Sequence, residues 1–184
     1  MSEVSNSQRD FVNMSSEQFD KMMCERFPGI FANRNKSMME TCMCWGFDVG
    51  HGWRELLFSL CEKLEFVCQS NGDLITVVAD QVKSKFASLR FYWHTVGSKD
   101  EFSDEEKIVA EKLYGVLEDL ISHAEDRSGY LCEVCGEYGK TITIGGWQYT
   151  FCQKHETSLR DQRAKDAKEW ASRVRTVDLK SIKI

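Results

Sequence analysis

Apolar side chains recur along this chain at two different periods, and the change of period marks its elements. Trp53, Leu56, Leu57, Leu60, Cys61, Leu64, Val67 and Cys68 fall at spacings of three and four, which predicts an amphipathic helix that Asn71-Gly72 ends. Leu113, Leu117, Leu120, Ile121 and Ala124 repeat the pattern in a second long helix. Ser103 is its expected N-cap, Glu106 completes a capping box, and Ser128-Gly129 closes it. A shorter helix is expected in "SSEQFDKMMCERF", where Phe19, Met22, Met23 and Phe27 share a face before Pro28-Gly29. Between the long helices the period drops to two. Strands are predicted over 74–84 and 89–96, joined by a tight turn near Phe86-Ala87-Ser88. In this alternation Lys83 and Lys85 oppose Val82, Ser84 and Phe86, and Arg90, Tyr92 and His94 oppose Leu89, Phe91 and Trp93. "TCMCWGFDVGHG" has three glycines and no period and reads as a loop.

After the second long helix the pattern becomes "CEVCGEYGKTITIGGWQYTFCQKH". Cys132 and Cys135 are C-x2-C, and Cys152 and His155 form a second jaw. Between them "KTITI", Gly145-Gly146 and "WQYTF" make a short hairpin. Cys3His is a usual structural zinc set, and Gly136 permits the tight knuckle, so one structural Zn²⁺ in a zinc ribbon is expected. A redox C-x-x-C fits less well, because two further ligands stand at ribbon distance and no βαβ pattern precedes. Residues 153–175 read as a charged helix with few apolar positions. The fold class is therefore α+β: amphipathic helices on an antiparallel hairpin or small sheet, a zinc ribbon and a C-terminal helix. The expected divisions are a flexible 1–14, a core over 15–129, the ribbon over 130–156, and a basic helix and tail over 157–184.

Composition narrows the class. The chain has 184 residues, 42% of them hydrophobic and 29% charged, with eight cysteines and one proline, which suits a folded domain rather than a disordered chain. No apolar run is long enough to span a bilayer. The first residues lack the basic start and apolar core of a signal peptide, so a cytoplasmic location is expected; there, paired cysteines favour metal over disulfides. The net charge of −5 disfavours non-specific nucleic-acid binding. Residues 157–184 carry eight bases against four acids. Nucleic acid at this basic tail is a competing reading to a solvated helix face.

Other constellations have plainer readings beside them. Cys42, Cys44 and His51 resemble half of a second metal site, but C-x-C is poor ligand spacing, and buried thiols beside Trp45 and Phe47 fit better. Cys24, Cys61 and Cys68 lie on apolar helix faces and read as small core residues. Lys83, Lys85, Arg90 and Tyr92 form a candidate cationic-aromatic patch for a partner, a phosphate or a nucleotide, against the alternative of a solvated sheet face. Nucleophile-elbow, Walker and dinucleotide motifs do not occur.

Three stretches in this order, "CMCWGFDVGHGW", "DQVKSKFASLRFYW" and "AEDRSGYLCEVCGEYG…TFCQKH", resemble a widespread group of small bacteriophage and prophage proteins. That group combines a Gly-Trp helix, a Val-Lys-x-Lys-Phe-Gly-x-Leu-Arg-Phe-Tyr hairpin and a terminal Cys-x-x-Cys-Gly ribbon. The likeness runs from Thr41 to His155. Ala87 stands where the hairpin usually has glycine, and His51 where an acid is expected. The resemblance implies a phage protein, not an enzyme, acting in the host cytoplasm by binding a host protein or complex. Inhibition of an anti-phage defence system is the analogy it offers. The alternatives are a nucleic-acid-binding regulator using ribbon and tail, and a nucleotide-binding or nucleotide-processing protein using the hairpin face.

Overall fold

The computed structural model describes residues 11–97 and 102–175. Lys180 and Lys183 of the expected basic tail lie outside them. The described elements are α1 (Ser16–Arg26), β1 (Phe47–Asp48), α2 (Arg54–Ser70), β2 (Thr76–Lys85), β3 (Ser88–Val96), α3 (Asp104–Ser128), β4 (Lys140–Ile144), β5 (Trp147–Phe151) and α4 (Gln153–Arg175). The fold is α+β, as the two periods require. No helix among the described residues is long and apolar enough to cross a membrane.

The sheet is larger than a hairpin. β2 and β3 pair antiparallel, but β1 adds to β2 in parallel, with Phe47 beside Val82 and Asp48 beside Lys83. The stretch expected to be a plain loop thus holds this short strand between two 3-10 turns, Cys42–Trp45 and His51–Trp53. Two residues of strand carry too little periodicity to be seen in sequence. A bulge falls between Ala79 and Gln81, and Val77, Val78 and Ala79 are all buried, so simple alternation fails at the start of β2. The extra residue, Asp80, meets His94 Nδ1 at 2.9 Å.

β3 is an edge strand, and α3 closes that edge. Ser128 Oγ accepts from Leu89 N at 2.7 Å, and Glu125 Oε1 accepts from Phe91 N at 2.8 Å. Unpaired edge donors would otherwise be desolvated or left open to another strand. Leu57, Leu60, Cys61 and Leu64 of α2, Leu113, Leu117, Ile121 and Ala124 of α3, and Val82, Leu89 and Phe91 of the sheet form one core. Trp53 is fully buried in it.

Phe11, in the terminus expected to be flexible, is 2% exposed and packs on Phe58 with ring centroids 5.1 Å apart. Arg54 explains its place. This side chain is 2% exposed and donates Nη1 to the Phe11 and Met14 carbonyls at 3.0 and 2.6 Å and Nη2 to Ser16 Oγ at 3.3 Å. Its guanidinium lies 4.8 Å over the Phe19 ring. Burial lowers its pKa, and the carbonyls offset the desolvation.

The β2–β3 turn is built from Phe86 and Ala87, with φ of 53° and 60°. Two consecutive left-handed residues are what a two-residue hairpin needs to match strand twist. Phe86 therefore leaves the alternation. It is 70% exposed rather than on the core face.

Candidate metal centre

The two jaws of the ribbon come from different local structures. After α3 the chain makes a knuckle in which Gly136 N donates to Cys132 O at 2.8 Å and Cys132 N to Glu137 O at 2.7 Å. Gly136 turns it at φ 77°. The second jaw is the exit of β5 into α4: Cys152 lies just before the helix and His155 in its first turn. The Gly145-Gly146 turn, with φ of 59° and 83°, folds β5 back on β4 and so returns Cys152 to the knuckle.

Cys132, Cys135, Cys152 and His155 converge, with all four ligand atoms within 4.8 Å of one another, and can hold one metal ion. His155 Nδ1 lies 3.4 Å from Cys132 Sγ and 3.2 Å from Cys152 Sγ, and Cys135 Sγ lies 3.8 Å from Cys152 Sγ. Cys132 is fully buried and the others half-buried. The backbone N–H of His155 holds the Cys152 thiol below its ordinary pKa. Burial, aided by the neighbouring thiols, pushes Cys135 up to about 11. A cation entering the cluster displaces thiol protons and reverses that rise.

The knuckle is clamped onto the body. Gly52 N donates to Glu133 O at 2.9 Å, and Trp53 Nε1 donates to Leu131 O at 2.7 Å. Gly50 and Gly52 admit the knuckle backbone because they have no Cβ. A Cβ on Gly52 would stand 2.1 Å from Cys132 O and 2.3 Å from Gly136 N, and one on Gly50 would stand 2.1 Å from Glu133 O. Gly50-His51-Gly52 is thus the seat of the metal knuckle, a role the sequence reading missed. Its signal was available: two glycines one residue apart, directly before the tryptophan that is most deeply buried.

A second tie runs through Glu133 and Thr150. Glu133 Oε1 accepts from Thr150 N at 2.9 Å, and Thr150 Oγ1 donates to Ala87 O at 2.6 Å. Thr150 is fully buried. Burial raises the Glu133 pKa, against hydrogen bonds from Thr150 and Ser84 that lower it. The ribbon therefore rests on both the Gly50–Trp53 turn and the β2–β3 turn.

The other predicted residues divide. Lys83 pairs with Arg90 across the strands, and the Lys83 ammonium lies 5.3 Å over the Tyr92 ring. The Lys85 ammonium lies 5.2 Å over Phe86. Arg90 reaches α3 instead, with Nη1 3.2 Å from Glu125 Oε2. Cys42, Cys44 and His51 join no metal cluster among the described residues. The His51 Nδ1 donates to Val12 O at 3.1 Å. Cys42 is exposed rather than a buried thiol, whereas Cys61 and Cys68 are buried and Cys24 half-buried. No family model matches the chain, and no curated protein or solved structure does either.

Proposed function

We propose that this chain is a zinc-stapled interaction protein of bacteriophage type, which binds and modulates a macromolecule of its host. A component of a host anti-phage defence system is the class of target the resemblance suggests. Zinc is the metal that suits the ligand set. A tetrahedron with Zn–S near 2.3 Å and Zn–N near 2.05 Å has S···S edges of about 3.8 Å and S···N edges of about 3.6 Å. The separations of 3.8, 3.4 and 3.2 Å lie at or below these, and all four ligand atoms fall within 4.8 Å of one another. Four protein ligands complete the shell, which suits a structural ion and leaves recognition to the surface.

The observation that carries the reading is the tip of the central hairpin. Phe86 adopts φ 53° while 70% exposed. A bulky residue in the left-handed region costs roughly 1–2 kcal/mol, and its ring gains little burial in return. Lys85 lies over its ring, and further along the hairpin Lys83 lies over Tyr92, which is 41% exposed. The turn requires the left-handed backbone but not a phenylalanine at it, and an exposed ring held there beside a cation fits a binding surface. The nucleic-acid alternative has less support, since Arg160 and Arg173 are held by Glu156 and Glu169 within α4.

The test compares wild type with Lys83→Glu/Phe86→Gly/Tyr92→Ala in affinity capture from host lysate, with nuclease treatment. A partner retained by wild type and lost by the variant at equal zinc content supports the reading. Equal capture by both removes the hairpin face from it, and capture abolished by nuclease favours nucleic acid.

A further inference from the structure

The face of α4 that packs on the ribbon runs on past the end of the hairpin. Leu159 belongs to the ribbon's apolar cluster. Arg163, one turn later, lies against Gly145 at the hairpin tip and reaches Tyr149 Oη at 3.3 Å. Ala167 and Trp170 continue the same stripe at spacings of four and three. Every residue from Ala164 to Trp170 is exposed, and Trp170 is 68% exposed. The hairpin adds to this surface. Trp147 pairs with Ile144 and so shares its α4-facing side, yet it is 70% exposed.

An overhang of about three turns has little helical stability of its own in water. Two tryptophans left open on one side add a desolvation term that a partner would recover. The charges at the margin of the stripe indicate which partner. Asp166 and Arg173 stand seven residues apart, two turns along one edge of the face. Arg173 Nη2 also bonds Glu169 Oε1 at 2.6 Å, four residues back. If an antiparallel copy is centred between Glu169 and Trp170, each Asp166 falls opposite Arg173 of the other copy, and the two Trp170 rings meet at the centre. An edge complementary to itself under a twofold rotation is what an isologous contact requires. The net charge of −5 makes a phosphate backbone the poorer occupant.

We propose that the exposed end of α4, with Trp147 at its flank, pairs antiparallel with the same segment of a second copy of this chain. This interface is separate from the Lys83–Tyr92 face and does not depend on what that face binds.

Analytical ultracentrifugation of the zinc-loaded full chain tests it. Wild type is expected to dimerise reversibly. Trp170→Ala weakens association at least tenfold with zinc content unchanged, since the side chain is largely exposed and lies outside the ribbon's apolar cluster. Asp166→Arg and Arg173→Asp each weaken association, and the double variant restores it towards wild type. The restoration separates direct pairing from damage to the helix. The proposal is overturned if wild type stays monomeric at the highest concentration reached, if Trp170→Ala dimerises as wild type does, or if the charge swap fails to restore pairing. It is equally overturned if monomeric wild type binds a single-stranded oligonucleotide and Trp170→Ala abolishes that binding, because the stripe is then a stacking platform.

Discussion

Replacing Gly52 by alanine should detach the metal knuckle from the body. The new Cβ would sit 2.1 Å from Cys132 O, 2.3 Å from Gly136 N and 2.7 Å from Cys135 N. All three are backbone atoms, so no rotamer change relieves the overlap. An ordinary carbon–oxygen contact is about 3.3 Å, which requires the two segments to part by roughly 1.2 Å. That movement stretches two hydrogen bonds beyond use: Gly52 N to Glu133 O, now 2.9 Å, and Trp53 Nε1 to Leu131 O, now 2.7 Å. Each buried group left unmatched costs about 1–3 kcal/mol. The expected loss is therefore about 2–6 kcal/mol, against a typical total of roughly 5–15. With a urea slope near 2 kcal/mol/M, the midpoint falls by roughly 1–3 M. Urea unfolding followed by the fluorescence of buried Trp53 measures it. A Gly52→Ala chain within about 1 kcal/mol of wild type would refute the claim that the knuckle is seated on this glycine.

Other substitutions probe other parts of the account. Gly115, in α3, has open space around its missing Cβ, so Gly115→Ala should stabilise each chain by about 0.8–1 kcal/mol, read from the same urea curve. Ser128→Ala removes the acceptor for Leu89 N at 2.7 Å in a buried setting and should cost about 1–3 kcal/mol in thermal or urea unfolding. Glu106 is held below its ordinary pKa by the Ser103 N–H and hydroxyl of the capping box. Because the folded pKa is the lower one, its contribution is complete above the unfolded value and disappears as pH falls through the folded value. Glu106→Gln should therefore flatten the acid side of the stability–pH profile, and an unchanged slope would count against the cap.

Elements with long periodic stretches were legible from sequence. α2 and α3 announce themselves through many turns of apolar spacing, and the capping box at Ser103 marks the start of α3. The ligand set was legible because C-x2-C and Cys-x2-His flank a hairpin with a glycine turn, all local features. What escaped depends on contacts distant in sequence. β1 is defined by two residues pairing with β2, and the role of Gly50 and Gly52 by a backbone some eighty residues later. Phe11 reads as part of a loose terminus because its anchor, Arg54, is a charge that sequence rules place outside. The alternation that aligns Phe86 with Val82 and Ser84 fails at this residue because the turn takes it into the left-handed region. Arg90 stands opposite Lys83 across the strands, but its ion pair lies on α3, which the pattern of one strand does not reveal.

The central claim is that a single zinc ion, held by Cys132, Cys135, Cys152 and His155, staples the ribbon and α4 to the body. Thermal unfolding of the full chain, before chelation, after it, and after return of one equivalent of Zn²⁺, tests this most directly. A metal present at about a thousand times its Kd stabilises the folded chain by about 4 kcal/mol, which corresponds to a fall of roughly 8–16 °C for a chain of this size. The account predicts a fall of that order on chelation and full recovery with one equivalent. An unchanged midpoint after complete metal removal would contradict it.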